Sequence, residues 1–119
     1  MSTEQTQLLI DRYFDLMGRA ADFAECFTPD VTWLVADTGE VIRGGDSVRD
    51  YIVGLHDTFE DSRTRRFLVG EDQVYLEGDC AAIPPEAGDR THYCVAYDVQ
   101  DDLISAMRCY GLGARHRGR

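Results

Sequence analysis

The sequence predicts an α+β domain with helices on one face of a curved antiparallel sheet, and two observations predict it. Apolar residues recur at three- and four-residue spacing through the first half of the chain and at two-residue spacing from about Thr64 onward. Glycine and proline clusters cut the chain into an ααββα order followed by three or four strands, which suits one layer of helices on one sheet.

The elements follow in order. Over residues 3–17, Leu9, Tyr13 and Leu16, with Ile10, Phe14 and Met17, make the stripe of an amphipathic helix, and Gly18 offers a stop. "RAADFAECF" continues with Ala20, Phe23 and Phe27 on one stripe and predicts a short second helix. Thr28-Pro29-Asp30 ends it, because proline disfavours helix in the residue before it. The β-branched and aromatic "VTWLV", the turn "ADTGE" and the run "VIR" predict a hairpin over 31–43, broken by Gly44-Gly45. Asp46 or Ser47 can cap a third helix in which Val48, Ile52, Leu55 and Phe59 share a face. "TRRFLVGEDQVYLEGDCAAI" reads as two strands divided near Gly70-Glu71-Asp72, or as one long strand with a bulge. Residues 84–88 read as a loop, and "THYCVAYDV" and "LISAMRCY" as strands joined by "QDD".

Composition narrows the function. At 119 residues the chain fits one domain, assigned to 1–112, with 113–119 expected to be a disordered tail. No run approaches the roughly 18 apolar residues of a membrane span, and "MSTEQTQLLIDRYF" lacks the basic start and apolar core of a secretory signal, so a cytoplasmic protein is expected. The formal net charge of −10 disfavours nucleic acid and anionic membranes as partners. Arg115, His116, Arg117 and Arg119 gather in the tail against that trend. All 12 basic residues are arginine, so no lysine amine is present for a Schiff base. Cys26, Cys80, Cys94 and Cys109 are widely spaced without a C-x-x-C, which predicts free thiols and no metal site.

Four pieces, "LLIDRYFDLMGRAADFAECFTPDVTW", "VIRGGDSVRDYI", "VYLEGDCAAI" and "DDLISAMRCY", taken in this order and spacing, resemble the NTF2-like superfamily, which includes SnoaL-like polyketide cyclases, ketosteroid isomerase, scytalone dehydratase and limonene epoxide hydrolase. The resemblance runs over about residues 4 to 112. It implies a cone-shaped fold, with three helices of the N-terminal half closing over a curved antiparallel sheet to enclose a cavity. It further implies a cofactor-independent acid-base enzyme, of cyclase, isomerase, dehydratase or epoxide hydrolase type, acting on a small hydrophobic carbonyl-bearing or polyketide-like substrate, and often a homodimer. The same scaffold also serves as a non-catalytic binder of lipophilic molecules or as a dimeric interaction module.

The resemblance also directs attention to particular residues. Tyr13 matches the first-helix tyrosine of ketosteroid isomerase, a hydrogen-bond donor there. Val35 falls opposite that enzyme's catalytic aspartate, with Asp37 two residues on in a sequence that is also a good turn. Its second carboxylate falls near Tyr93, so the chain departs from the isomerase pattern. Trp33 would lie beside the cavity as platform or as core. His56 lies next to the Leu55 and Phe59 stripe and suits proton transfer near neutral pH, or bonds water or Glu60.

For the last two strands a three-residue "QDD" loop turns Tyr93, Val95 and Tyr97, with Ser105, Met107 and Cys109, to the cavity and puts His92 on the outer face. A two-residue "DD" loop brings Arg108 across from Val95 instead. The first face is the more apolar. The candidate set is Tyr13, Asp37 and His56 for catalysis, with Trp33, Tyr93, Tyr97, Met107 and Cys109 for substrate binding. His92 and Cys94, at i and i+2, lack the third partner that a thiol nucleophile needs. Arg63, Arg65 and Arg66 form a basic cluster that either binds an anionic group or pairs with local acids.

Overall fold

The chain opens with a capping box: the Ser2 hydroxyl accepts from the Gln5 N–H while the Gln5 side chain accepts from the Ser2 N–H. From that cap α1 (Thr3–Gly18) buries Thr6, Leu9, Ile10 and Tyr13, the face its spacing predicts. A computed structural model describes residues 2–83 and 90–112; the loop expected at 84–88 and the tail expected at 113–119 lie outside the described residues.

The helix ends at Gly18, as its sequence suggests, and the stop is built by the residues just beyond it. Ala20 takes a left-handed conformation (φ 56°), the Ala20 N–H donates to Met17 O, and the Ala21 N–H donates to Leu16 O, a Schellman ending built without glycine. The predicted short second helix is a single 3₁₀ turn, Phe23–Cys26. Asp22 begins this turn by accepting from the Ala24 N–H, and the turn tucks Phe23 and Cys26 into the core. Thr28-Pro29-Asp30 does not separate a helix from a strand. It lies inside β1 (Phe27–Val35), where the pairing register breaks between Phe27 and Thr32 and a proline removes no ladder bond.

β1 turns through 36–39 into β2 (Glu40–Arg43). α2 (Gly45–His56) follows, capped not by Asp46 or Ser47 but by the backbone of Gly44, whose φ of 93° needs a glycine. α2 stops at His56, so Phe59 opens a strand and does not close a helix. Then come β3 (Phe59–Val69), β4 (Gln73–Ala82), β5 (Arg90–Gln100) and β6 (Leu103–Tyr110). The six strands form one sheet in the order β2-β1-β6-β5-β4-β3, antiparallel throughout except that β1 and β6 run parallel, which makes the expected antiparallel sheet a mixed one. Two register breaks in β3, between Glu60 and Arg63 and between Thr64 and Arg66, bend its edge.

The β5–β6 hairpin resolves the loop question by a third route. Asp101 and Asp102 form a two-residue turn with both φ values positive (52° and 65°), and Gln100 pairs with Leu103. That turn alone would put Arg108 across from Val95. A bulge between Asp98 and Val99 adds Ser105 to the opposite strand, and Val95 then pairs with Cys109 and Tyr97 with Met107. The apolar face therefore turns inward. Ile10, Tyr13, Val31, Val48, Ile52, Val74, Ile104 and Met107 are among the fully buried residues packed between the two helices and the sheet.

Candidate functional site

A cavity of about 410 Å³ opens between the helices and the sheet. Spacing on α1 delivers Tyr13, Phe14 and Met17 to it, and spacing on α2 delivers Ile52, Leu55 and His56. Alternation on the sheet supplies Trp33 from β1, Leu76 from β4, and Tyr93, Val95 and Tyr97 from β5. The first turns of β3 contribute Phe59, Glu60, Asp61, Ser62 and Thr64, and Leu112 lies just past β6. The volume lies within the range of small-molecule sites, which are mostly apolar with a few placed polar groups.

Those polar groups differ in what holds them. Tyr13 is buried, wedged edge-on against Phe14, Phe23 and Tyr97, and its hydroxyl donates only to the Met107 Sδ at 3.9 Å, a soft acceptor. Burial pushes the phenol groups of Tyr13 and Tyr97 well above the ordinary tyrosine value, so both stay protonated. Tyr93 shares a 2.6 Å hydrogen bond with the Ser62 hydroxyl, and partial burial raises its pKa too. Gly78, paired with Tyr93 across the β4–β5 ladder, makes that placement possible: a Cβ there would stand 2.9 Å from the Tyr93 ring and hydroxyl.

His56 stands at the rim, exposed as a residue but with its ring edge-on to Phe59 at 5.4 Å. Partial burial lowers its pKa below the ordinary histidine value, against the opposing charge of Asp57, so the imidazole is neutral at pH 7. Beside it Asp61, at a positive φ of 52°, accepts from Arg90 at 3.0 Å and Arg63 at 3.2 Å. Arg90 also bonds Asp79, a buried carboxylate that takes a second bond from Arg65 at 3.1 Å. These hydrogen bonds hold the Asp79 carboxyl below the usual carboxylate range. Arg63 and Arg65 of the basic cluster are thus paired with local acids.

Of the residues singled out from the sequence, Tyr13, His56, Trp33, Tyr93 and Tyr97 come together on the cavity wall. Asp37, Met107 and Cys109 do not line it. Asp37 sits in the exposed β1–β2 turn, where both carboxylate oxygens accept from the Gly111 N–H (3.0 and 3.1 Å), so the turn reading of "ADTG" is the one realised. Met107 lies fully buried beneath Tyr13, and Cys109 is buried, its thiol pushed up to about 12 by burial and the Asp37 charge. His92 faces outward with Cys94, as its alternation against Tyr93 predicts.

Sequence reasoning missed Asp61, Ser62 and Thr64. They read as a polar approach to a strand starting at Thr64, and only the broken alternation between Glu60 and Arg66 hinted at the bulges that bring them to the mouth. All four cysteines are free, and among the described residues no group of three or more His, Cys, Asp or Glu could hold a metal ion. No described helix is long and apolar enough to cross a membrane.

The family model of the SnoaL-like domain matches residues 10–107. Among solved structures, a steroid delta-isomerase from Pseudomonas aeruginosa superposes with a TM-score of 0.80 at 16% identity, covering 95% of this chain and 87% of that one. An NTF2-like protein of unknown function from Mesorhizobium loti gives 0.78 at 15% identity, covering 92% of each chain. A de novo designed protein with a curved β-sheet gives 0.75 at 17% identity over 93% of this chain and 88% of that one. At these identities the structural likeness speaks for the fold, which is NTF2-like. No curated protein sequence matches the chain.

Proposed function

The chain belongs to the SnoaL-like domain family, and from that premise we propose that it is a cofactor-independent acid-base enzyme acting on a small hydrophobic carbonyl-bearing molecule. The observation that carries this reading is the combination in one cavity of a neutral imidazole at the rim with phenols inside. His56 would take a proton from the carbon next to the carbonyl. The electron pair released from that C–H bond moves onto the carbonyl oxygen, where a phenol donates to the developing oxyanion. Returning the proton to another carbon completes an isomerisation; attack of the enolate carbon on a second carbonyl completes a cyclisation. Tyr13 fits the donor role because it would exchange a sulfur acceptor for an oxygen, and Tyr93 fits because Ser62 already orients its hydroxyl. Tyr97 and Trp33 would supply wall, Met107 and Cys109 the packing behind it, and Asp37 would hold the turn.

The test is carbonyl-adjacent proton exchange of α-tetralone in heavy water, followed by proton NMR. The protein is expected to accelerate exchange over buffer, and His56→Gln to remove at least about a hundredfold of that acceleration, the lower end of general-base contributions. One observation favours a second reading, a non-catalytic binder of lipophilic molecules: both carboxylates at the cavity, Glu60 and Asp61, are exposed, and the buried polar groups are phenols. Saturable binding without exchange would select it.

A homodimer through the outer face of the sheet belongs to the same proposal. There Tyr75 and Tyr110 stand exposed around the small Ala96, in the rows Tyr75–Ala96–Arg108 and Cys94–Tyr110. Sedimentation at micromolar concentration should give twice the chain mass, and a monomer would refute the dimer.

A further inference from the structure

Two residues of the cavity wall, Asp61 and Ser62, stand where the β3–β4 ladder cannot hold them. Glu60 pairs with Ala81 and Arg63 with Asp79, so Asp61 and Ser62 face the single Cys80 in a bulge, without ladder partners of their own. Asp61 also takes a φ of 52°, a conformation in which a residue with a side chain is strained and for which glycine is the usual occupant of a bulge. Yet Ser62, the very next residue, makes the 2.6 Å bond to the Tyr93 hydroxyl. A group outside the ladder must fix the bulge for that bond to persist.

That group is Arg90 of β5, which does not itself line the cavity. Its Nη1 donates to Asp61 Oδ2 at 3.0 Å and its Nη2 to the Asp61 carbonyl, so it grips both the side chain and the backbone of the strained residue. The rest of the guanidinium is anchored on Asp79, its Nε donating to Oδ1 and its Nη2 to the carbonyl at 3.3 Å, and Asp79 is buried. A planar fork of donors suits a task that a single ammonium could not perform. We propose that Arg90 is a positioning residue of the cavity: by holding the bulge at Asp61 it sets Ser62 against Tyr93, and so aims the Tyr93 hydroxyl at the occupant of the cavity. When Ser62 is the donor of the shared bond, the hydrogen of Tyr93 stays free for that occupant, and the linked bonds polarise one another. This rests on the reading of Tyr93 as a donor in the cavity but not on any turnover there.

Fluorine NMR of the protein labelled with 3-fluorotyrosine tests this, one resonance for each of the six tyrosines, with that of Tyr93 assigned from Tyr93→Phe. Ser62→Ala should move the Tyr93 resonance. Arg90→Gln should move it the same way, while that of Tyr97, two residues along the same strand, holds still. Arg90→Gln leaves the buried Asp79 with Arg65 as its remaining partner, so Arg90→Gln with Asp79→Asn repeats the measurement without a poorly matched charge. Adding Asp61→Gly to Arg90→Gln should return the Tyr93 resonance toward its wild-type position, because glycine takes the bulge conformation unaided. Exchange of α-tetralone should follow the resonance, with kcat/KM about tenfold lower in Ser62→Ala and in Arg90→Gln, the worth of one hydrogen bond, and recovered by Asp61→Gly. A Tyr93 resonance indifferent to Arg90, a shift of all six tyrosines together, or no recovery with Asp61→Gly would overturn the proposal. A Tyr93 that responds as expected in a protein that exchanges no protons would sink the enzyme reading and leave the role of Arg90 standing.

Discussion

At the scale of single residues, the cavity differs from an ordinary core in which of its groups are neutral and how each is held. His56 is neutral at pH 7 because partial burial disfavours its cation. A base must be unprotonated to act, so if His56 is the base as proposed, kcat/KM for proton abstraction should rise with pH through a value below the ordinary 6.5 or so. A rising limb centred above 6.5 would mean that another group is the base. Gly78 makes a second test. Gly78→Ala would drive a methyl into the Tyr93 ring and the Arg63 carbonyl, both closer than 3.0 Å, so the ring must leave Ser62 or the strands must part. We expect a loss of about 1–3 kcal/mol in urea unfolding, the usual cost of overpacking, together with weaker ligand binding; a neutral substitution would show that Tyr93 is not pinned there. Residue by residue, the sequence was legible where periodicity speaks, at Tyr13, Trp33, Tyr93 and Tyr97. It was silent about Ser62, because a bulge obeys no period.

At the scale of elements, helices and strands were readable from spacing, but their joints were not. α1 and the apolar face of α2 follow their stripes, whereas the second helix is one 3₁₀ turn, because Ala20 takes the left-handed region just past the end of α1 and the chain cannot continue helically from it. The hairpin of β5 and β6 shows the limit most clearly. Its turn and its bulge each shift the pairing by one residue, so the two cancel, and only the demand that apolar side chains face inward could foretell the result. Ala20 gives the prediction at this scale. Alanine carries a Cβ penalty at a position where glycine is the usual ending, and nothing in the Schellman hydrogen bonds uses its side chain. Ala20→Gly should therefore stabilise the protein by about 0.5–1 kcal/mol, read as a higher melting temperature. A lower one would mean that the flexibility gained by the unfolded chain outweighs the relief.

Across the whole molecule, the bent sheet raises the question of what keeps its far edge in place, since β3 is an edge strand with most of its side chains in water. Few apolar contacts hold it, and the polar network fills that gap. Asp79 of β4 lies between Arg65 of β3 and Arg90 of β5, and Arg90 reaches on to the side chain and backbone of Asp61 in β3, so three strands are tied at the level of the cavity mouth. The tie depends on the Asp79 carboxylate being charged. Its folded pKa lies below its unfolded value of about 3.9, so the stabilisation is fully present above about pH 4 and is lost as pH falls through the folded value. Asp22, held by the Ala24 N–H and then by Arg49, and Asp98, held by Arg108, are shifted the same way and add to the loss. Asp79→Asn should therefore lower the melting temperature at pH 7, and the gap to the wild type should close as the pH drops below about 4. Should the gap instead stay constant down to acid pH, the carboxylate would be acting through its shape and not its charge, and β3 would owe its position to the ladder alone.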